Sequence, residues 1–169
     1  MENRPIIALL YDFDRTLCTT DMQNYSFIPN MGMEVDAFWQ EVNEFAKEAR
    51  MDPILAYQYM MIRKSAENRR SVHREDFVRL GKDIDFFPGV ADWFDRVNAY
   101  AEGFGATAEH YIISSGLKEI IEGSEIGQEF VEIYASEYFY DENGVAAWPK
   151  MAVNYTGKTQ FLFRINKGV

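Results

Sequence analysis

The chain has a single cysteine, Cys18, among its 169 residues, so no internal disulfide can form and the fold must hold by packing alone, as suits a reducing compartment. Cations are also scarce, with 17 Lys and Arg against 27 Asp and Glu and a net charge of −10. A field of that sign repels a nucleic-acid backbone and an anionic membrane surface, so neither is expected as a partner. Long apolar runs are missing too. The first hydrophobic stretch ends after about six residues at Asp12, too short and too soon acidic for a signal peptide or a membrane span. The chain is therefore read as cytoplasmic. There are no repeats and no low-complexity segments.

What is present is enough hydrophobic residue, 47%, to fill a core of about one domain. The run Ile6 to Tyr11 reads as a strand buried on both faces, and it stops on two carboxylates, Asp12 and Asp14. In an extended chain residues i and i+2 point the same way, so these two groups compete for one site and repel unless a cation lies between them. A divalent metal bound by hard oxygen ligands resolves that conflict, leaving one carboxylate as nucleophile toward phosphorus and its neighbour as acid and base. The competing structural reading is an Asx-type turn, with Asp14 bonding its own backbone near Thr16.

After Leu17 the pattern turns helical. Phe38, Val42, Phe45 and Ala49 recur at helical spacing between Glu34 and Arg50, a second helix is expected to open at Pro53, and a third lies in Val72 to Leu80. No strand is predicted between Thr19 and Asp85. Tyr25, Phe27, Tyr57 and Met60 in this segment are candidates for a substrate pocket or for its core. From Phe86 the strand and helix pattern resumes: a helix over Val90 to Gly103, a strand over His110 to Gly116, a helix over Leu117 to Glu122, a strand within Phe130 to Tyr140, and a turn at Asp141 to Gly144.

Ser114, Ser115 and Gly116 end the second apolar strand in a turn of small residues, whose backbone N–H groups suit an anion. The alternative is an N-cap serine. Lys158 stands on the first turn of a helix, where the dipole favours anions, so its place there calls for another reason. The Gly157-Lys158-Thr159 tripeptide lacks the earlier glycine of a phosphate-binding loop, because position 152 is Ala152.

Asp12-Phe13-Asp14-Arg15-Thr16-Leu17, the Ile113-Ser114-Ser115-Gly116 turn and Lys158, in that order, resemble the first three motifs of the haloacid dehalogenase-like (HAD) hydrolase superfamily. The helical insertion is similar to the cap of its phosphoserine phosphatase-like members. The resemblance implies an α/β fold, a Rossmann-like three-layer core with a mainly parallel sheet, formed by residues 1–18 and 86–169, and a helical cap over 19–85. It also implies a Mg2+-dependent phosphatase acting on a small phosphorylated metabolite. Asp12 would attack phosphorus to give an aspartyl-phosphate, and Asp14 would protonate the leaving alcohol and then activate water. Asp12 and Asp14, the latter through its backbone carbonyl, would hold Mg2+, while Thr16, Ser114, Ser115, Gly116 and Lys158 would bind the phosphoryl group. The superfamily's fourth motif, an acidic pair after a later strand, has no counterpart, since eleven residues follow Lys158 and none is acidic. That leaves two further readings: a truncated or degenerate domain that binds phosphate ligands or a partner without hydrolysis, and a phosphotransferase or mutase.

Overall fold

A computed structural model describes residues 4–168; residues 1–3 and 169, at the two ends of the expected core, lie outside the described residues. Four strands form one sheet in the order β1 (Ile6–Tyr11), β2 (Thr107–Leu117), β3 (Glu132–Tyr140), β4 (Ala146–Met151). The first three run parallel and β4 returns antiparallel to β3. The expected α/β core with a mainly parallel sheet is thus what forms. β4 is an addition to the expected elements. It follows the turn whose geometry is set by the Asp141 carboxylate, which accepts from the N–H groups of Asn143 and Val145, and by Gly144 at φ 74°.

Alternation along the strands sorts side chains to two faces. Tyr11, Ile112 and Ile133 join the cluster containing Phe94 of α5 (Trp93–Gly103), whereas Leu10, Ile113 and Tyr134 join Phe161 of α7 (Lys158–Lys167). Helix, sheet and helix therefore stack as three layers, and each face of β2 is apolar because each is covered.

β1 departs from the expectation. Ile6 is 61% and Ile7 50% exposed, so this strand is not buried on both faces. The reason is its place in the sheet: β1 is the first strand in the order and pairs only with β2 among the described residues. An apolar run reveals that a strand can be buried, not that a neighbour is present to bury it.

Between β1 and α5 lie α1 (Phe27–Asn30), α2 (Val35–Ala49), α3 (Pro53–Glu67) and α4 (Arg74–Leu80). The helix expected at Pro53 starts there because Asp52 caps it, its carboxylate accepting from the N–H groups of Ile54 and Leu55. Among the described residues this stretch contains no strand, only isolated bridges pairing Cys18 with Phe86 and His73 with Val145. The first bridge, with the bonds Thr19 N–H to Asp85 carbonyl and Phe87 N–H to Leu17 carbonyl, ties the outgoing chain to the returning one. One hydrophobic cluster runs from Phe38, Val42 and Tyr57 through to Ile112 and Ile120.

Two close approaches fix α4 against α6 (Lys118–Glu122). A Cβ built on Gly123 would lie 1.8 Å from the Val78 carbonyl oxygen, and one on Gly81 would lie 2.3 Å from the Ile120 carbonyl oxygen. Backbone meets backbone there, so a side chain can enter only by separating the helices. Gly123→Ala is expected to cost about 1–3 kcal/mol in denaturant unfolding, without loss of the folded state's helical signal. Glu119, on α6, is buried with Oε1 accepting from the Tyr140 hydroxyl, and burial raises its pKa. The folded chain then keeps a proton that the unfolded chain releases in the ordinary carboxylate range. Stability is lost as pH rises through the folded-state value. Glu119→Gln should remove that loss, so its stability advantage over the unmodified chain grows as pH rises above the ordinary carboxylate range in urea titrations.

Candidate active site

The register places the two segments predicted as turns side by side. Tyr11 pairs with Ile112, so the chain leaving β1 at Asp12 runs beside Ile113 and Ser114; the expected turn over Ser114 to Gly116 is instead an irregular last part of β2, which runs on to Leu117 with its register to β3 shifted after Ile113. Crevices of open α/β sheets form at the carboxyl ends of the strands. Beyond Asp12 the chain curls around one atom, the Phe13 carbonyl oxygen, which accepts from the N–H groups of Thr16, Leu17 and Cys18. Arg15 takes a left-handed φ of 58° to make the bend, a conformation uncommon for a side chain of its size.

Lys158, 146 residues further along, arrives from α7 and sets its Nζ 2.7 Å from Asp12 Oδ2. The other Asp12 oxygen accepts from the Phe13 N–H at 2.8 Å. The loop before α7 is held by Asn154, whose side-chain oxygen accepts from the Gly157 N–H and the Thr156 hydroxyl while its Nδ2 donates to Asp52 at the cap of α3. That unusual lysine position is explained by its partner: Asp12 supplies the negative charge that the helix terminus otherwise lacks.

Asp14 does not make the Asx turn. Its Oδ1 accepts from the Met22 N–H at 2.8 Å, eight residues on, and from the Cys18 thiol, while Oδ2 would sit 2.8 Å from a Cβ on Gly116. Any side chain at position 116 would also strike Met22, so glycine there is what lets Asp14 lie against the serine segment. Burial above all, with the Asp21 and Asp12 carboxylates adding to it, pushes the Asp14 carboxyl up to about 7.

The serine segment divides its roles. Ser114 is fully buried, and its Oγ accepts from the Gly116 N–H at 3.0 Å rather than capping a helix. Ser115 lines a cavity of about 230 Å3 together with Asp14, and its carbonyl accepts from the hydroxyls of Tyr57 at 2.6 Å and Ser136 at 3.0 Å. Thr16 is exposed in the bend after Asp14. Of the four pocket candidates, only Tyr57 lines this cavity. Phe27 and Met60 are core, and Tyr25 uses its hydroxyl on the Thr20 N–H and the Asp85 carbonyl. Sequence reading missed Asp21, which lines the cavity and pairs with Arg15, and Asn154; neither carries a local pattern that sets it apart.

Donor chemistry decides whether Mg2+ fits. This ion takes oxygen ligands and often uses one or two carboxylates, completing its shell with water and substrate phosphate. Asp12 supplies one carboxylate and Asp14 could add its backbone carbonyl oxygen, since its carboxyl is engaged with Met22 and Cys18; among the described residues no group of three or more His, Cys, Asp or Glu side chains gathers that could hold a metal ion. The site fits a Mg2+ that keeps much of its water.

No family model matches the chain. A protein of Borreliella burgdorferi described as uncharacterized is 28% identical over 191 residues, which take in 99% of this chain and 67% of that protein. Among solved structures, a HAD family hydrolase from Salmonella enterica serovar Typhi matches 97% of the chain with a TM-score of 0.68 at 15% identity. A phospho-aspartyl intermediate analogue of phosphoserine phosphatase matches 97% of the chain with a TM-score of 0.64 at 13% identity, covering 72% of that chain. This chain has the HAD hydrolase fold. It spans 51% of the Salmonella chain, about half its length.

Cys18 sits against the bend after Asp12, buried, its thiol donating to the Thr20 carbonyl at 3.1 Å. Burial first, then the Asp14 carboxylate, push its pKa up to about 12, so it stays a protonated thiol near neutrality. Iodoacetamide should leave it unlabelled in the native protein at pH 8 and alkylate it fully in denaturant, as read by mass spectrometry.

Proposed function

We propose that this chain carries the active centre of a Mg2+-dependent phosphomonoester hydrolase, working in the cytoplasm through an aspartyl-phosphate on Asp12. The observation that carries this reading is the 2.7 Å approach of Lys158 Nζ to Asp12 Oδ2, beside Asp14 and the serine segment. In a chain of charge −10 a phosphate ester needs local positive charge to approach, and Lys158 brings it to the carboxylate that would attack. The fold shared with phosphoserine phosphatase structures supports the same reading.

Asp12 forms the bond to phosphorus as the ester P–O bond breaks. Asp14 gives its proton to the departing alcohol oxygen, and a carboxyl near 7 is suited to hold that proton at neutral pH. The same carboxylate then takes a proton from the water that attacks phosphorus, releasing phosphate and restoring Asp12. Lys158 offsets charge on Asp12 and the phosphoryl oxygens, while the Ser114 hydroxyl and Ser115 orient those oxygens beside Gly116, whose N–H is already given to Ser114 Oγ, with Thr16 at the outer edge. The Asp12 carboxylate and the Asp14 backbone carbonyl would hold Mg2+, which supplies further charge neutralisation of the phosphoryl group. Residues 19–85 serve as a cap, hinged where Leu17 to Thr19 pair with Asp85 to Phe87 and closing over the cavity with α2 and α3.

Turnover of an aryl phosphate in Mg2+ tests the assignment. Asp12→Asn should fall to background and Lys158→Ala should lose about 10²–10³-fold in kcat. Chelation of the metal should abolish turnover. Unchanged activity in Asp12→Asn removes the nucleophile and with it the mechanism.

A further inference from the structure

The cavity beside Asp14 constrains the alcohol that would leave. Its walls include Asp14, Asp21, Trp39, Ile54, Tyr57 and Ser115, and no lysine, arginine or histidine lines it. The nearest guanidinium, Arg15, spends Nε and Nη2 on Asp21, at 3.1 and 2.7 Å, from a side chain that is 69% exposed. Both of its bonds go to Asp21 at the outer edge, so Arg15 brings no free cation to the interior of the cavity.

Two aromatic rings stand in this cavity, and both are fixed. Trp39 Nε1 donates to the Asn24 side-chain oxygen at 2.8 Å, and the Tyr57 hydroxyl donates to the Ser115 carbonyl at 2.6 Å. Their centroids are 6.0 Å apart at an interplanar angle of 65°, which makes a preformed corner. Aromatic faces attract ammonium groups within about 6 Å, most strongly where water is excluded, and rings already locked in place lose little entropy on binding.

We propose that this cavity receives the ammonium end of a phosphorylated amino alcohol that has no carboxylate. Trp39 and Tyr57 face the cation and Asp21 supplies the opposing charge. An acidic leaving group, including one that carries a carboxylate beside its ammonium, would place that carboxylate against Asp14 and Asp21 with no cation in the cavity to receive it. The volume of about 230 Å3 limits the alcohol to a small one. The assignment rests on the phosphatase reading for the position of the phosphoryl group, while charge selection can be measured without turnover.

Calorimetric titration of the Asp12→Asn chain with phosphocholine and with phosphoglycolate, in Mg2+, tests it. Phosphocholine should bind about tenfold or more tightly than phosphoglycolate. Trp39→Leu should weaken phosphocholine and leave phosphoglycolate unchanged, and Asp21→Asn, which removes the opposing charge, should narrow the gap. Equal or tighter binding of phosphoglycolate overturns the proposal, as does failure of both ligands to bind. Charge-selective binding with no aryl phosphate turnover by the unmodified chain would retain the ligand class and remove the reaction.

Discussion

The contact between Lys158 and Asp12 is the constraint on which the rest of the site depends. Two groups 146 residues apart in sequence meet because α7 packs on the same sheet face that Ile113 and Tyr134 present, with Phe161 as the shared core residue. α7 is short, and its first residue is the one that reaches the end of β1. Shifting that helix by one turn, about 5.4 Å, would take the ammonium out of range. The packing of Phe161 against Tyr134, with stacked rings 4.7 Å apart, therefore bears on chemistry as well as stability.

A second set of constraints joins the helical segment to the sheet through backbone carbonyls. The Ser115 carbonyl is held by Tyr57 from α3 and Ser136 from β3, and neighbouring Gln58 donates to the carbonyls of Glu137 and Met151. Buried polar groups of this kind are costly unless paired, and when paired they specify one arrangement over others. The wall of the cavity and the serine segment are thus parts of one network. Gly116 allows Asp14 to approach, while Gly81 and Gly123 let α4 lie against α6.

The environments of the two carboxylates differ in the way acid and nucleophile require. Asp12 is 46% exposed at the side chain and carries an ion pair with Lys158, whereas Asp14 is pressed against Gly116 and Met22 with its carboxyl pushed up to about 7. Two identical groups two residues apart thereby sit in different surroundings, one open and ion-paired, the other enclosed. The same surroundings keep Cys18 a thiol.

The sequence by itself determined most of the elements, β4 excepted, and the end of β1. The apolar run stopped by Asp12 marks that strand, Pro53 after Asp52 marks a helix start, and the helical periodicity of residues 34–50 is a local property of the chain, whereas β2 runs past Ser114 to Leu117. Only the tertiary structure decided what those elements lie against. β1 is exposed along Ile6 and Ile7 because burial depends on a neighbouring strand that no local pattern encodes. Asp14 bonds Met22 instead of Thr16, and Asp21, Trp39 and Tyr57 share one cavity, because distances across the fold follow from packing and register, which depend on all the residues at once.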